Sequence, residues 1–222
     1  MLKPTIELAE EIVQIAEMAS AEILAVYEEA FDVESKADES PLTMADKRAH
    51  TCIVGELTKR YPHIPIISEE QKNLPYETRK TWTDCWMVDP LDGTKEFIKK
   101  NGEFTVNIAL IHGGEVLLGV VFLPVNQIAY YAVKNGGAFK KVQDEIRLLN
   151  GGMPLAQDID ELMHSDWHGK SLKIVASRSH LNTETQEFID QLVENHAEVE
   201  MVSKGSSLKF CMIAEQEADI YP

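Results

Sequence analysis

The stretch Trp86-Met87-Val88-Asp89-Pro90-Leu91-Asp92-Gly93-Thr94-Lys95-Glu96-Phe97 decides the fold, because an apolar strand runs into two carboxylates held across a proline-stiffened turn. Asp89 closes the strand, Pro90 fixes φ and lacks an N–H, and Asp92-Gly93 turns the second carboxylate back toward the first. Two oxygen donors aimed at one point suit a hard cation. Thr94 opens a short helix, so the free N–H groups of Gly93 and Thr94 offer an anion seat beside that cation. A cation next to an anion seat points to phosphate chemistry. An ordinary Asp-Gly turn with Asp89 as a cap is the plain alternative, and these residues alone leave it open.

Working outward, the 222 residues are 44% hydrophobic and 26% charged, enough for one sizeable globular domain of two lobes with a real core. No run approaches the roughly 18 apolar residues of a membrane span, and Met1 to Glu7 lacks a signal-peptide core, so a cytoplasmic protein is expected. Peripheral association at the inner membrane stays open. Cys52, Cys85 and Cys211 are odd in number and lie apart in apolar stretches, which predicts reduced core thiols rather than disulfides or zinc. The formal charge of −16, from 37 acidic and 21 basic residues, argues against a nucleic-acid polymer as partner. A small phosphorylated ligand remains compatible if acidic side chains recruit divalent cations that face the phosphate.

The apolar positions Ile6, Ala9, Val13, Ala16, Ile23, Val26 and Tyr27 predict an amphipathic helix from Pro4 to about Phe31. After a polar connector from Ser35 to Pro41, Thr43-Met44-Ala45-Asp46 has the form of a capping box and predicts a second helix to about Arg60. Pro62 to Pro65 breaks that helix, and Ile64 to Ile67 is a short strand that delivers Ser68-Glu69-Glu70. Phe104 to His112, Glu115 to Leu123 and Ile128 to Val133 form an antiparallel meander, with Gly113-Gly114 as a primed turn and a further turn at Asn135-Gly136-Gly137. Residues 150 to 171 are polar and turn-rich, marking a lobe boundary. A strand at Leu172 to Ala176, a helix from Asn182 or Thr183, a strand near Val199 to Val202 and a helix launched by Gly205-Ser206-Ser207 follow.

Thr43-Met44-Ala45-Asp46, Ser68-Glu69-Glu70 and Asp89-Pro90-Leu91-Asp92-Gly93-Thr94, in this order, resemble the Mg²⁺-dependent, lithium-sensitive phosphatases of the inositol monophosphatase superfamily. Asn101-Gly102-Glu103-Phe104-Thr105-Val106-Asn107 and Gly205-Ser206-Ser207-Leu208-Lys209-Phe210-Cys211 make the likeness strongest to its 3′(2′),5′-bisphosphate nucleotidase branch. The resemblance implies an α/β (α+β) fold, a layered αβαβα sugar-phosphatase-like sandwich. Its N-terminal lobe, about 1–150, would carry the meander sheet and the metal site, and a smaller α/β lobe, about 151–222, would contact a nucleotide.

By that resemblance, Glu69, Asp89 and the Leu91 carbonyl hold one Mg²⁺, and Asp89 and Asp92 share a second. Two or three ions are implied, with Mn²⁺ as an alternative. One ion lowers the pKa of a water and the other neutralises the leaving oxygen during in-line displacement. Glu69 and Thr94 orient the water, Asp46 accepts a proton, and the Gly93 and Thr94 N–H groups, with Glu69, Leu91 and Asp92, surround the phosphate. Ser206, Lys209 and His180 are the implied nucleotide contacts. Each has a rival from the residues alone: Asp46 as a helix cap, Thr94 as a helix start, His180 as a surface polar group. Strand alternation leaves open which of Glu69 and Glu70 points inward.

The chain ends at Ala218-Asp219-Ile220-Tyr221-Pro222, whereas the family pattern continues with an arginine and a Trp-Asp-Thr-Ala-Ala-Gly segment whose Asp is a metal ligand. A truncated form is therefore expected, with exposed apolar surface and unpaired strand edges near the break. The implied activity is removal of the 3′-phosphate of 3′-phosphoadenosine 5′-phosphate, a hydrolase step beside sulfate assimilation. Inositol monophosphate or sugar (bis)phosphate hydrolysis is the alternative. A non-catalytic module binding metal or nucleotide is the alternative of another class. Oligomeric state is not fixed by the sequence.

Overall fold

A computed structural model of the chain describes residues 2–28, 41–71, 74–149, 171–177, 182–195 and 198–222. Two compact units divide it, Met1–Leu148 and Leu149–Pro222. In the first, helix α1 (Ile6–Glu28) begins where Thr5 Oγ1 accepts the Leu8 N–H at 3.1 Å. Its buried residues Leu8, Ile12, Ile15, Ala19, Ile23 and Val26 fall three or four apart, a continuous apolar stripe. Helix α2 (Pro41–Arg60) packs alongside it and presents Ala45, Ala49, Ile53 and Leu57, all fully buried.

Both helices cover one face of a seven-stranded sheet of order β1-β2-β3-β4-β5-β6-β7. The strands are β1 (Ile66–Ser68), β2 (Asp84–Asp92), β3 (Thr105–His112), β4 (Glu115–Leu123), β5 (Ile128–Val133), β6 (Gly137–Val142) and β7 (Glu145–Leu149). β1 and β2 pair in parallel, joined by a crossover that contains the short helix α3 (Tyr76–Arg79). From β2 to β6 each strand pairs antiparallel with the next. Alternation places Val106, Ile108 and Leu110 of β3 and Leu118, Val120 and Phe122 of β4 in the core. Gly113 and Gly114 both have positive φ, 56° and 85°, the two-residue turn that matches strand twist.

Three sequence expectations change here. The box Thr43 to Asp46 does not start α2, because the helix already begins at Pro41, where a missing N–H costs nothing. Asp46 therefore lies inside the helix, and its capping role is removed. β2 does not end at Asp89: it continues to Asp92 through a bulge, with Asp89 opposite Asn107 and Asp92 opposite Thr105. The meander also runs two strands longer. β6 is masked in the sequence by Lys140 and Lys141, yet its Phe139 stacks on Tyr131 with ring centroids 5.2 Å apart.

The second unit is a β-α-β crossover. β8 (Leu172–Ser177) pairs in parallel with β9 (Val199–Lys204), and helix α5 (Thr183–Asn195) connects them. Asn182 Oδ1 accepts the Thr185 N–H at 2.7 Å, the cap expected of that residue. Leu172, Ile174, Ala176, Ile189, Leu192 and Ile220 form one core cluster. Helix α6 (Leu208–Ala214) supplies Met212, which packs with Val175 and Ala218 in another. Near the final residues, Ile220 bridges in parallel to Ile174, and Asp219 Oδ2 accepts the Lys173 N–H at 2.8 Å. Ile220 is buried and Tyr221 packs edge-on against Phe210, while Phe210 itself and Met201 of β9 stand exposed.

All three cysteines are free, with Cys211 buried and Cys52 and Cys85 half-buried. Among the described residues, no helix is long and apolar enough to cross a membrane.

Candidate active site

The parallel β1/β2 pair builds the centre of the acidic cluster. The Glu69 N–H donates to the Val88 carbonyl at 3.1 Å, extending the ladder one step past Ser68 and bringing Glu69 level with Asp89. Their carboxyl groups interact, and the Glu69 charge acts on Asp89. Asp89 Oδ1 also accepts the Leu91 N–H at 3.2 Å, and the bulge that follows turns Asp92 close enough for its charge to act on Asp89. The tight turn read from Asp92-Gly93 is thus a bulge plus a left-handed glycine.

Gly93, at φ 93° and ψ 44°, converts the strand into helix α4 (Thr94–Ile98). A side chain there would be strained, which is the physical reason for glycine at this position. The Gly93 carbonyl accepts from both the Glu96 and Phe97 N–H groups at 2.9 Å, and Thr94 stands exposed at the first turn. Behind it, Glu96 is buried and accepts from Asn101 Nδ2, while Asn101 Oδ1 accepts the Glu103 N–H at 3.0 Å. Phe97 and Phe104 pack on each other and on Tyr27, with centroids 4.9 to 5.3 Å apart. The motif Asn101 to Phe104 therefore anchors α4 from beneath.

Asp46 reaches the same cluster from α2. Glu70 and Glu69 both act on it electrostatically, Glu70 the more strongly. Burial first, then those like charges, push Asp46 from 3.8 to about 7. Asp89 is likewise pushed well above the ordinary carboxylate range, by burial, then by the charges of Asp92 and Glu69. The alternatives for Glu69 and Glu70 resolve into two partners: Glu69 meets Asp89, and Glu70 meets Asp46. Glu70 was not among the site residues expected from sequence, because an exposed Glu-Glu pair gives no cue to a contact supplied by a distant helix.

Among the described residues, no three His, Cys, Asp or Glu side chains already form a set poised to hold an ion. The donor chemistry nevertheless fits a hard divalent cation: all the carboxyls are oxygen donors, and burial together with neighbouring carboxylates raises Asp46 and Asp89. Glu69, Asp89, Asp92 and the Leu91 carbonyl are the groups that would hold it.

In the second unit, Ser206 takes a left-handed conformation, φ 49°, just before α6. Lys209, buried, donates its ammonium to the Ser206 carbonyl at 2.6 Å and lies over the Tyr221 ring. Ser206 and Lys209 thus do come together. His180, the third expected nucleotide contact, lies outside the described residues, as does nearly all of the 150 to 171 segment.

Residues 4–222 match the inositol monophosphatase family, and the chain belongs to that family. It is 44% identical over 218 residues to the 3′(2′),5′-bisphosphate nucleotidase CysQ of Escherichia coli O157:H7, spanning 96% of this chain and 79% of that protein. Against CysQ of Haemophilus influenzae the identity is 30% over 222 residues, 100% of this chain and 77% of the relative. Among solved structures, CysQ from Bacteroides thetaiotaomicron superposes with a TM-score of 0.79 at 42% identity, over 97% of this chain and 79% of that one. Mycobacterium tuberculosis SuhB, at 23% identity and a TM-score of 0.72, shares the fold.

Proposed function

We propose that this chain is a 3′(2′),5′-bisphosphate nucleotidase, a phosphoric monoester hydrolase that removes the 3′-phosphate of 3′-phosphoadenosine 5′-phosphate to give AMP and phosphate. One observation carries the reading. Glu69, one residue past β1, and Asp92 of β2 both lie near enough for their charges to act on Asp89, beside a left-handed Gly93 that opens a helix, in a family whose close relatives are named for this activity.

Dependence on a divalent metal, generally Mg²⁺, is a property of the family. When bound, such an ion supplies positive charge opposite the phosphate and makes a water acidic enough to attack. The chain's own residues do the rest. Asp89 and Asp92 project from one bulged strand, so their spacing is set by backbone geometry rather than by flexible side chains. Glu69 and the Thr94 hydroxyl orient the attacking water, and the Gly93 and Thr94 N–H groups hold phosphate oxygens at the start of α4. Asp46, with a pKa near the working pH, accepts the proton released as the water attacks.

Two or three ions, Mn²⁺ as a substitute, and a cytoplasmic setting complete the proposal. The first unit carries the metal-dependent chemistry, and Ser206, Lys209 and His180 contribute contacts to the 5′-phosphate side of the nucleotide. The test is phosphate release from 3′-phosphoadenosine 5′-phosphate with Mg²⁺, with EDTA, and with added Li⁺. Turnover that needs Mg²⁺ and falls with Li⁺ is expected. Hydrolysis that proceeds equally in EDTA would overturn it, and so would metal uptake without any turnover, which would leave a binding module.

A further inference from the structure

Outside the acidic residues themselves, α2 makes a second connection to the end of β1. His50 Nδ1 lies 2.8 Å from Ser68 Oγ, a hydrogen bond between residues 18 apart in the chain. Ser68 is 3% exposed, and it immediately precedes Glu69-Glu70. His50 follows Asp46 by one helical turn, so both stand on one face of α2. One face of one helix therefore holds the end of β1 through His50 to Ser68 and brings Asp46 near Glu70 just beyond it.

We infer that His50 is a positioning residue for the acidic site: through Ser68 it fixes the strand end from which Glu69 and Glu70 project, and so sets how well the carboxylates are placed to receive a divalent ion. The inference rests on the acidic-site reading given above. β1 is only three residues long and lies at the sheet's border, so its ladder to β2 restrains one side alone. The residues beyond Ser68 are exposed. Past the Glu69 ladder bond, the backbone is tied only by the Gln71 N–H to the Ser68 carbonyl at 3.1 Å, a bond that itself depends on where Ser68 is held. Loss of the imidazole also leaves the buried Ser68 hydroxyl without this partner, which favours a shifted strand end. Residues that orient ligands by hydrogen bonding typically change metal affinity about 10- to 100-fold when removed.

The experiment is direct Mn²⁺ binding by calorimetry on the parent chain, His50→Ala, Ser68→Ala, the double variant and His50→Asn, with folding checked by circular dichroism. Both single variants are expected to weaken Mn²⁺ binding about tenfold, and the double variant no further than the weaker single, because one connection is lost in each. The Asn amide places a polar atom near the position of Nδ1, so His50→Asn is expected to recover most of the affinity. Should His50→Ala fail to fold, Ser68→Ala and His50→Asn carry the same comparison. Affinities within about twofold of the parent, even with a lowered Tm, would overturn the inference and assign the bond to packing alone. A parent chain that takes up no Mn²⁺ would overturn the acidic-site reading, and this inference with it.

Discussion

The Glu69 N–H donates to the Val88 carbonyl at 3.1 Å, one step past the parallel β1/β2 pair, and so brings the Glu69 carboxyl to bear on Asp89. Two carboxyls in that relation cannot both ionise without cost, so the metal-free protein should respond to pH in a defined direction. Asp46 is raised from 3.8 to about 7, and Asp89 moves the same way. Because the folded-state pKa lies above the unfolded one, the folded chain keeps protons that the unfolded chain has released. That contribution is full below about pH 4 and is lost as pH rises through about 7. Thermal unfolding in EDTA should therefore show a Tm that falls between pH 5 and pH 8. Saturating Mg²⁺ should reduce the fall, and a Tm with the same pH profile in Asp46→Asn and Asp89→Asn would refute the assignment.

Asp89→Asn separates stability from chemistry. The neutral amide relieves repulsion with Asp92 and Glu69, so the metal-free Tm should rise. Turnover should drop by about two orders of magnitude or more, since several kcal/mol of transition-state stabilisation depend on this carboxylate. Parallel denaturation and phosphate-release measurements check both, and a fully active variant would remove Asp89 from the site.

Gly93→Ala forces a side chain into a left-handed backbone, φ 93°. The expected loss is about 1–3 kcal/mol in urea unfolding, with a fall in kcat because Thr94 is displaced along with α4. Unchanged stability would mean that the strand-to-helix junction relaxes freely.

Phe104→Ala tests the support beneath the site. Phe104 is fully buried and edge-on to Tyr27 at 4.9 Å, so truncation should cost about 3–5 kcal/mol in denaturant unfolding.

Lys209→Ala bears on substrate choice. If the ammonium contacts the nucleotide, its loss should reduce kcat/KM for 3′-phosphoadenosine 5′-phosphate about tenfold or more, and reduce use of a small phosphate ester far less. Equal losses would assign Lys209 to structure, in its bond to the Ser206 carbonyl.

Much of this was legible beforehand where a single chemical cue decided the geometry. The two glycines at 113 and 114 announced their hairpin, the spacing from Ile6 through Ala9, Val13 and Ala16 to Val26 announced α1, and Asp89 to Thr94 announced an acidic strand end passing into a helix. Cues failed where the deciding partner was remote. Nothing near Glu70 signals that Asp46 will approach it from α2, and nothing near His50 signals Ser68. The bulge at Asp89 to Asp92 depends on β3 supplying fewer residues opposite, a register that no local pattern of β2 contains. Pro41 displaced the box at Thr43 because it can itself open a helix.

The border position of β1 carries a consequence for colloidal behaviour. Among the described residues β1 pairs with β2 alone, and the unpaired edge of such a border strand is where another polypeptide can add as a further strand and seed fibrils. Only three residues are available for such templating, and they lead at once into two glutamates, so an incoming chain meets negative charge before it can gain a foothold. The same acids that serve phosphate chemistry thereby discourage self-association at this rim of the molecule.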